Sequence, residues 1–323
     1  MSKIISIMLL VILLMGLLGL LSRKVLKWVA ILVVFGFLCR EAFYLYKVGF
    51  VADTSSAYNF LQSFVSGRFK YVKNESFNVE ASPECFLTIL SRSGNIKISS
   101  WDKEIVRVNA EKKARTKQEL ENIKVVVKKE NDNSITINDS ASFESDKRIK
   151  GQVHYEIKVP KRLLSISIET RSGNVKIENL QSNVNVQTLS GNIHMISVTG
   201  NLNLNVTSGN TVLEHISGDV LIKNKSGNVK IIHASGTAKV DVMSGNIHMN
   251  GIEKAIEAHA KSGNITLKNV CCEVNASAHA GNITIYRAPQ ATGKIIAKTL
   301  SGYAKIFDSS GDVISKGKSI ILK

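Results

Sequence analysis

The tripeptide Ser172-Gly173-Asn174 returns as Ser190-Gly191-Asn192, Ser208-Gly209-Asn210, Ser226-Gly227-Asn228, Ser244-Gly245-Asn246 and Ser262-Gly263-Asn264. A seventh copy reads Ala280-Gly281-Asn282. From Gly173 to Gly281 each glycine follows the one before at the same interval, without slippage. A fixed period of this kind means one structural unit stacked on itself, each copy touching only its neighbours.

Within the unit, apolar residues fall two and four positions after the glycine, as at Val175 and Ile177 or Ile193 and Met195. The pair recurs half a period later, at Val184 and Val186 and at Leu202 and Leu204. In-out-in spacing over so few residues is a short strand with one buried face. A third inward site occurs only once per full period, at Leu180, Val198, Ile216, Ala234, Ile252 and Val270. One full period, the 18-residue step from Asn174 to Asn192, is therefore one coil, built of two unequal strand-turn halves. The fold class that follows is all-β, a right-handed parallel β-solenoid with two strands per coil and a thin aliphatic core. About six and a half coils at the inter-strand spacing give a rod roughly 30 Å long.

The corners are the residues singled out for a structural role. A tight corner needs positive φ, which glycine adopts freely and asparagine tolerates. The asparagines of successive coils then stack at about 4.8 Å, and their amides can form a ladder. The opposite corner is looser. Gly200-Asn201, Gly218-Asp219 and Gly236-Thr237 keep the glycine, whereas Ser182-Asn183, Lys254-Ala255 and Cys272-Glu273 do not.

The N-terminal part is different. Residues 4–21 form an apolar run long enough for a membrane span. Ser22-Arg23-Lys24 interrupts it, and a second apolar stretch over about 25–46 follows, with Lys27 at its start and Arg40 within it. The expectation is a membrane anchor over 1–51, a hairpin of two transmembrane helices. A signal peptide is disfavoured, because the run is too long and no small-x-small cleavage site follows Leu21. Arg23, Lys24 and Lys27 favour a cytoplasmic loop, which places both termini outside the cytoplasm. Residues 52–75 read as a juxtamembrane stalk with a short amphipathic helix.

From 76 to 171 the chain reads as the N-terminal cap of the solenoid. Ser93-Gly94-Asn95 followed by Ile96 and Ile98 repeats the unit, with Trp101 in the third inward site. The interval from Gly94 to Gly173 is not a whole number of coils, so something is inserted. A helical turn around 117–123, strands near 124–128 and 134–138, and further strands over 153–159 and 164–169 fill it. The repeat solenoid spans 172–323. Its register slips by three residues at Ala288-Pro289-Gln290 and resumes at Ser301-Gly302, and a last strand or two after 310 closes the end.

The Ser-Gly-Asn-Ile-Lys-Ile unit, the Trp101-Asp102 pair followed by Val106 and Val108, the segment ending Val159-Pro160 and the train of repeats together resemble the bacterial "putative adhesin" family, domain of unknown function 4097. The resemblance covers about residues 76–323. It implies an adhesin-like β-helical surface domain and brings no catalytic residues with it.

Composition narrows the function classes. The net charge of +16 is spread along the chain, and the repeats are nearly neutral. No Arg-rich stripe interleaved with aromatics stands out, which argues against nucleic acid as a partner. Cys85, Cys271 and Cys272 have no metal-type spacing, and Cys271 and Cys272 point to opposite faces. A Cys85 disulfide to either would require an oxidising compartment. His215 and His233 share one slot in adjacent coils, but a metal site needs a third ligand. Calcium rolls carry aspartate in every turn, whereas only Asp219 and Asp241 occur in these repeats. No cofactor, metal or catalytic residue is therefore assigned.

Outward positions include Lys176, His194, Lys230 and His248 on one sheet and Asn185, Asn203, Lys239 and Glu257 on the other. They hold no paired carboxylates and no nucleophile-base spacing. The reading is a membrane-integral, non-enzymatic solenoid outside the cytoplasm, contacting a glycan, wall polymer or protein ligand, or scaffolding the envelope. The alternatives are an accessory domain of an envelope sensing system and a self-assembling bactofilin-like scaffold, the latter disfavoured by the caps.

Overall fold

The computed structural model describes residues 69–139 and 151–322, apart from 290, 292, 309, 310 and 312. The expected membrane helices and most of the expected stalk lie outside the described residues. Among the described residues no helix is long and apolar enough to cross a membrane.

The chain enters its β-structure five residues before the expected boundary at 76. Strand β1 (Tyr71–Glu80) is followed by β2 (Phe86–Ser93), β3 (Ile96–Trp101), β4 (Ile105–Ala114), helix α1 (Lys117–Asn122), β5 (Val125–Asn131), β6 (Ser134–Asp139), β7 (Gly151–Pro160) and β8 (Arg162–Ser172). Thr116 starts α1 with a capping box: its hydroxyl accepts from the Glu119 N–H and the Glu119 carboxylate accepts from its own. The long strand β9 (Val175–Ser190) turns from one face of the solenoid to the other.

The regular coils follow as β10 (Ile193–Thr199), β11 (Leu202–Ser208), β12 (Thr211–Ser217), β13 (Val220–Ser226), β14 (Val229–Ala234), β15 (Ala238–Ser244), β16 (Ile247–Ile252), β17 (Ala255–Ser262), β18 (Ile265–Val270), β19 (Glu273–Ala280) and β20 (Ile283–Arg287). The C-terminal strands are β21 (Ile295–Ser301), β22 (Ala304–Phe307), β23 (Val313–Gly317) and β24 (Ser319–Leu322).

Parallel pairing generates two faces. On the first, β7 pairs with β3, β3 with the start of β9, β9 with β10, and the even-numbered strands stack on to β22. On the second, β6 pairs with β2, β2 with β8, β8 with the end of β9, and the odd-numbered strands stack on to β21. The coil made by β2 and β3 thus sits between the β6–β7 coil and the β8–β9 coil, out of chain order. Both faces end in antiparallel strands: β4 and β1 beyond β7, β5 beyond β6, β23 beyond β22 and β24 beyond β21. An antiparallel strand breaks the coil geometry, so the stack cannot simply continue at either end.

The core is one continuous aliphatic column. The third inward site needs correction. Besides Leu180 and its equivalents, the second face buries a third position in every coil: Thr170, Thr188, Val206, Asn224, Val242, Ala260 and Ala278 are all buried. Its polar members hid it from a hydrophobicity pattern. Trp101 is also not fully inward. It is half-buried and its indole N–H donates to the Ile105 carbonyl at 2.7 Å, closing a corner.

A three-residue step separates Ile177 from Leu180, and the structure gives its cause. Asn179, Ser197, His215, His233 and Asn269 hold φ of 54°, 55°, 55°, 56° and 50°. One left-handed residue per coil bends the first-face strand and brings the next side chain inward again.

Candidate functional site

The Ser-Gly-Asn edge runs the length of the stack. Gly173 has φ 140° and Gly227 has φ 133°. A Cβ on Gly173 would fall inside the Gly94 carbonyl, and one on Gly227 inside the Gly209 carbonyl. Glycine is required there twice over, by conformation and by the approach of the next coil. The glycine N–H donates to the serine carbonyl one coil on, as from Gly173 to Ser190 at 3.0 Å.

The asparagines do form a ladder, but of a different kind from amide on amide. Each backbone N–H donates to the side-chain oxygen of the preceding asparagine: Asn192 to Asn174, Asn210 to Asn192 and Asn228 to Asn210, all at 2.9 Å. The file continues through Asn246, Asn264 and Asn282. An amide-to-amide bond accompanies it from Asn246 Nδ2 to Asn228 Oδ1 at 3.2 Å. His154 Nδ1 heads the file by accepting from the Asn95 N–H at 3.0 Å, and the Tyr303 N–H closes it on Asn282 at 3.2 Å. Burial and Lys113 hold the His154 pKa below the ordinary histidine value, which suits an unprotonated acceptor nitrogen.

The opposite corner carries a shorter ladder. Asn201 donates to Asn183 Oδ1 at 2.9 Å, Asp219 to Asn201 Oδ1 at 3.0 Å, and Thr237 to Asp219 Oδ1 at 2.8 Å. Beside it lies a shallow groove of about 610 Å³, lined by Asn185, Asn203, Leu221 and Lys239 together with the ladder residues. The ladder engages the amide oxygens of Asn183 and Asn201, and both residues line the groove.

Polar chemistry clusters elsewhere too. On the second face, Ser277 Oγ lies 2.6 Å from His259 Nδ1, and His259 Nε2 lies 3.1 Å from Glu257, which pairs with Lys239 at 2.7 Å. The sequence signal for this chain of contacts is the one-coil offset from His259 to Ser277, which a linear reading misses. The strand that carries Ser277 is paired on both sides, with β17 and with β21. Hydrogen bonds from Lys239 and His259 hold the Glu257 carboxyl below its usual range. His215 and His233 stack with ring centroids 5.4 Å apart and planes 14° from parallel. Among the described residues no group of three His, Cys, Asp or Glu could hold a metal.

Two buried polar groups tie the N-terminal cap together. Asp139 accepts from Ser91 Oγ at 2.9 Å, from the Arg92 N–H at 3.4 Å and from the Tyr155 hydroxyl at 3.4 Å. Burial pushes its carboxyl up and pushes the Tyr155 phenol up as well. Lys112, 4% exposed, donates to Glu75 at 2.6 Å and to the Ile123 carbonyl at 2.9 Å. Cys85, Cys271 and Cys272 are free thiols, with burial pushing Cys272 up to about 11.

This stack is covered by a family model, Toastrack DUF4097, over residues 86–314. The chain belongs to the Toastrack DUF4097 family. No curated protein matches the chain. Solved structures similar to this Toastrack solenoid include a "putative adhesin" from Bacteroides fragilis at 20% identity, covering 73% of this chain and 97% of that one with a TM-score of 0.38. A "putative adhesin" from Parabacteroides distasonis matches at 18% identity, 73% and 97% coverage and a TM-score of 0.41. A "putative lipid binding protein" from the same species matches at 14% identity, 73% and 96% coverage and a TM-score of 0.42.

Proposed function

We propose that this Toastrack protein is a membrane-anchored, non-enzymatic contact module held outside the cytoplasm, where its second face meets a glycan, wall polymer or protein ligand. The groove beside the Asn183–Thr237 ladder carries the reading. It combines asparagine amides, the apolar Leu221 and the Lys239 ammonium along a straight, repeating wall. Such a wall suits a ligand that itself repeats, because each coil offers the next contact without reorganising. The corner glycines and asparagines from Gly173 and Asn174 to Gly281 and Asn282 serve this role indirectly, by holding the wall straight. The apolar runs near the N-terminus supply the anchor, and Arg23, Lys24 and Lys27 supply its orientation.

The test uses full-length chain on arrays of glycans and purified wall polymers, beside an Asn203→Glu/Leu221→Glu variant. Binding by the parent and its loss in the variant is the expected outcome. Binding that survives both substitutions would remove the groove from the reading. A reporter fused after Lys323 should read extracytoplasmic, and a cytoplasmic signal would reverse the orientation.

A further inference from the structure

In chain order the repeats are close to neutral, yet stacking sorts their charges. None of the corner hexapeptides, from 92–97 through 300–305, contains an Asp or Glu. The opposite corner holds Asp219, Glu253 and Glu273, and the other acids of the repeats, Glu178, Glu214, Asp241 and Glu257, lie within strands on the two faces. Pairing keeps the residue before each corner serine in one file, because its neighbours on either side align coil to coil. That file carries Arg171, Lys225 and Lys261, interleaved with Leu189 and Met243 and followed by Leu300. These apolar side chains are 49%, 51% and 64% exposed. A second file, two residues beyond the asparagines, carries Lys97, Lys176, Lys230 and Lys305, and opens on Glu156 beside Lys97. Lys97 and Lys176 are paired, with Glu156 and Glu178, while Lys225, Lys230 and Lys261 form no ion pair among the described residues.

We propose that this basic edge is a docking surface for an anionic lipid bilayer, with the solenoid lying along the membrane. The charge complement is direct: cations in two straight files on either side of a file of amides whose oxygens are already bonded. Anionic headgroups attract such files, and the attraction falls off within a Debye length. The exposed Leu and Met side chains choose between polyanions. A soluble polyanion gains nothing from them, whereas the headgroup–acyl boundary takes cations and shallow apolar side chains together. Neither file carries Phe, Tyr or Trp, which argues against single-stranded nucleic acid. The groove at the opposite corner plays no part in this contact, so either surface can fail without the other.

The test is made on the full chain with Cys39→Ser, Cys271→Ser and Met243→Cys, labelled at position 243 with an environment-sensitive fluorophore. It is reconstituted in phosphatidylglycerol-rich or in pure phosphatidylcholine vesicles. Both vesicles hold the same N-terminal segment, so the difference between them reads the edge alone. Emission should shift to the blue and be quenched by brominated acyl chains only in phosphatidylglycerol. A label placed by Asn203→Cys should show neither effect. Lys225→Glu with Lys261→Glu should weaken the response about tenfold or more. Equal emission in the two lipids overturns the proposal. So does soluble polyphosphate that displaces the edge from phosphatidylglycerol at matched phosphate, with an affinity unchanged by Leu189→Asn, because the edge would then be a site for a dissolved polyanion.

Discussion

The backbone N–H of Asn174 donates to the side-chain oxygen of Asn95 at 3.1 Å, across 79 residues of chain. The insertion between them leaves and returns without shifting the corner file by a single step. Gly94 likewise donates to the Ser172 carbonyl at 2.9 Å, so the coil of β2 and β3 is a full member of the stack. Asn95→Ala removes the acceptor at this junction. Stability should fall by about 1 kcal/mol, the usual net worth of one such bond. Hydrogen exchange at the Asn174 amide should quicken more than at Asn228. Unchanged exchange at Asn174 would mean that the junction is held by strand pairing alone.

Gly227 lies mid-stack at φ 133°, against the Gly209 carbonyl. Gly227→Val puts a β-branched residue into a region such residues avoid and drives its Cβ into backbone that cannot swing aside. The expected loss is about 3 kcal/mol or more. Each coil couples to its neighbours, so urea unfolding should show a lower midpoint for the whole solenoid rather than a local defect. Lys225→Ala, two residues away and exposed, should stay within about 0.5 kcal/mol of the parent. Matching midpoints for Gly227→Val and the parent would refute the strained corner.

Lys112 is buried with its ammonium on Glu75, which arrives on β1 from just beyond the expected start of the domain. Despite the burial that works against it, hydrogen bonds from Lys112 and Lys73 hold the Glu75 carboxyl below its ordinary range. Glu75→Ala strands the buried cation with only the Ile123 carbonyl. The expected destabilisation is on the order of 2–3 kcal/mol, because a lost partner leaves a charge uncompensated. Thermal unfolding of Glu75→Ala beside Glu75→Gln separates loss of charge from loss of an acceptor, and Glu75→Gln should fall between.

Asp139 predicts a pH trend. Its carboxyl is pushed up by burial, outweighing the bonds from Ser91, Arg92 and Tyr155. The folded state therefore holds the proton more tightly than the unfolded chain does. The stability this contributes is complete below the unfolded value of about 3.9 and is lost as pH rises through the higher folded value. Asp139→Asn cannot titrate. Its melting temperature relative to the parent should be higher at pH 8 than at pH 5. A pH-independent difference would show that Asp139 does not titrate between those conditions.

Much of this architecture is legible in the sequence because it rests on single residue types at fixed offsets. The corners need glycine, the ladder needs asparagine, and inward strands need aliphatics. Even the inserted segment follows from local signals, with α1, β5 and β6 falling at the expected 117–123, 124–128 and 134–138. The rest depends on neighbours a full coil away. Lys225, Met243 and Lys261 become one file only when coils stack, as do His259 and Ser277. Glu75 reads as stalk because no turn signal separates it from the preceding polar stretch, while its partner Lys112 lies 37 residues on. The left-handed residue at Asn179, Ser197, His215 and His233 stays hidden because no one residue type marks it.

The missed inward column supports a final prediction. Thr188 is buried and its hydroxyl has no partner among the described residues, whereas Thr299, one of the last members of the same column, donates to the Gly281 carbonyl at 2.9 Å. Register pairs Thr188 with Val206 on the next coil, so an aliphatic side chain already fits this column. Thr188→Val keeps the shape and removes an unsatisfied hydroxyl, which should stabilise the fold by about 1 kcal/mol. Thr299→Val deletes a made bond and leaves a carbonyl short of its donor, which should destabilise by about 1 kcal/mol. Urea midpoints of the two variants beside the parent decide it, because the same chemical change should move stability in opposite directions. Movement in the same direction for both would mean that a bound water satisfies Thr188, or that β-branched apolar volume alone governs this column.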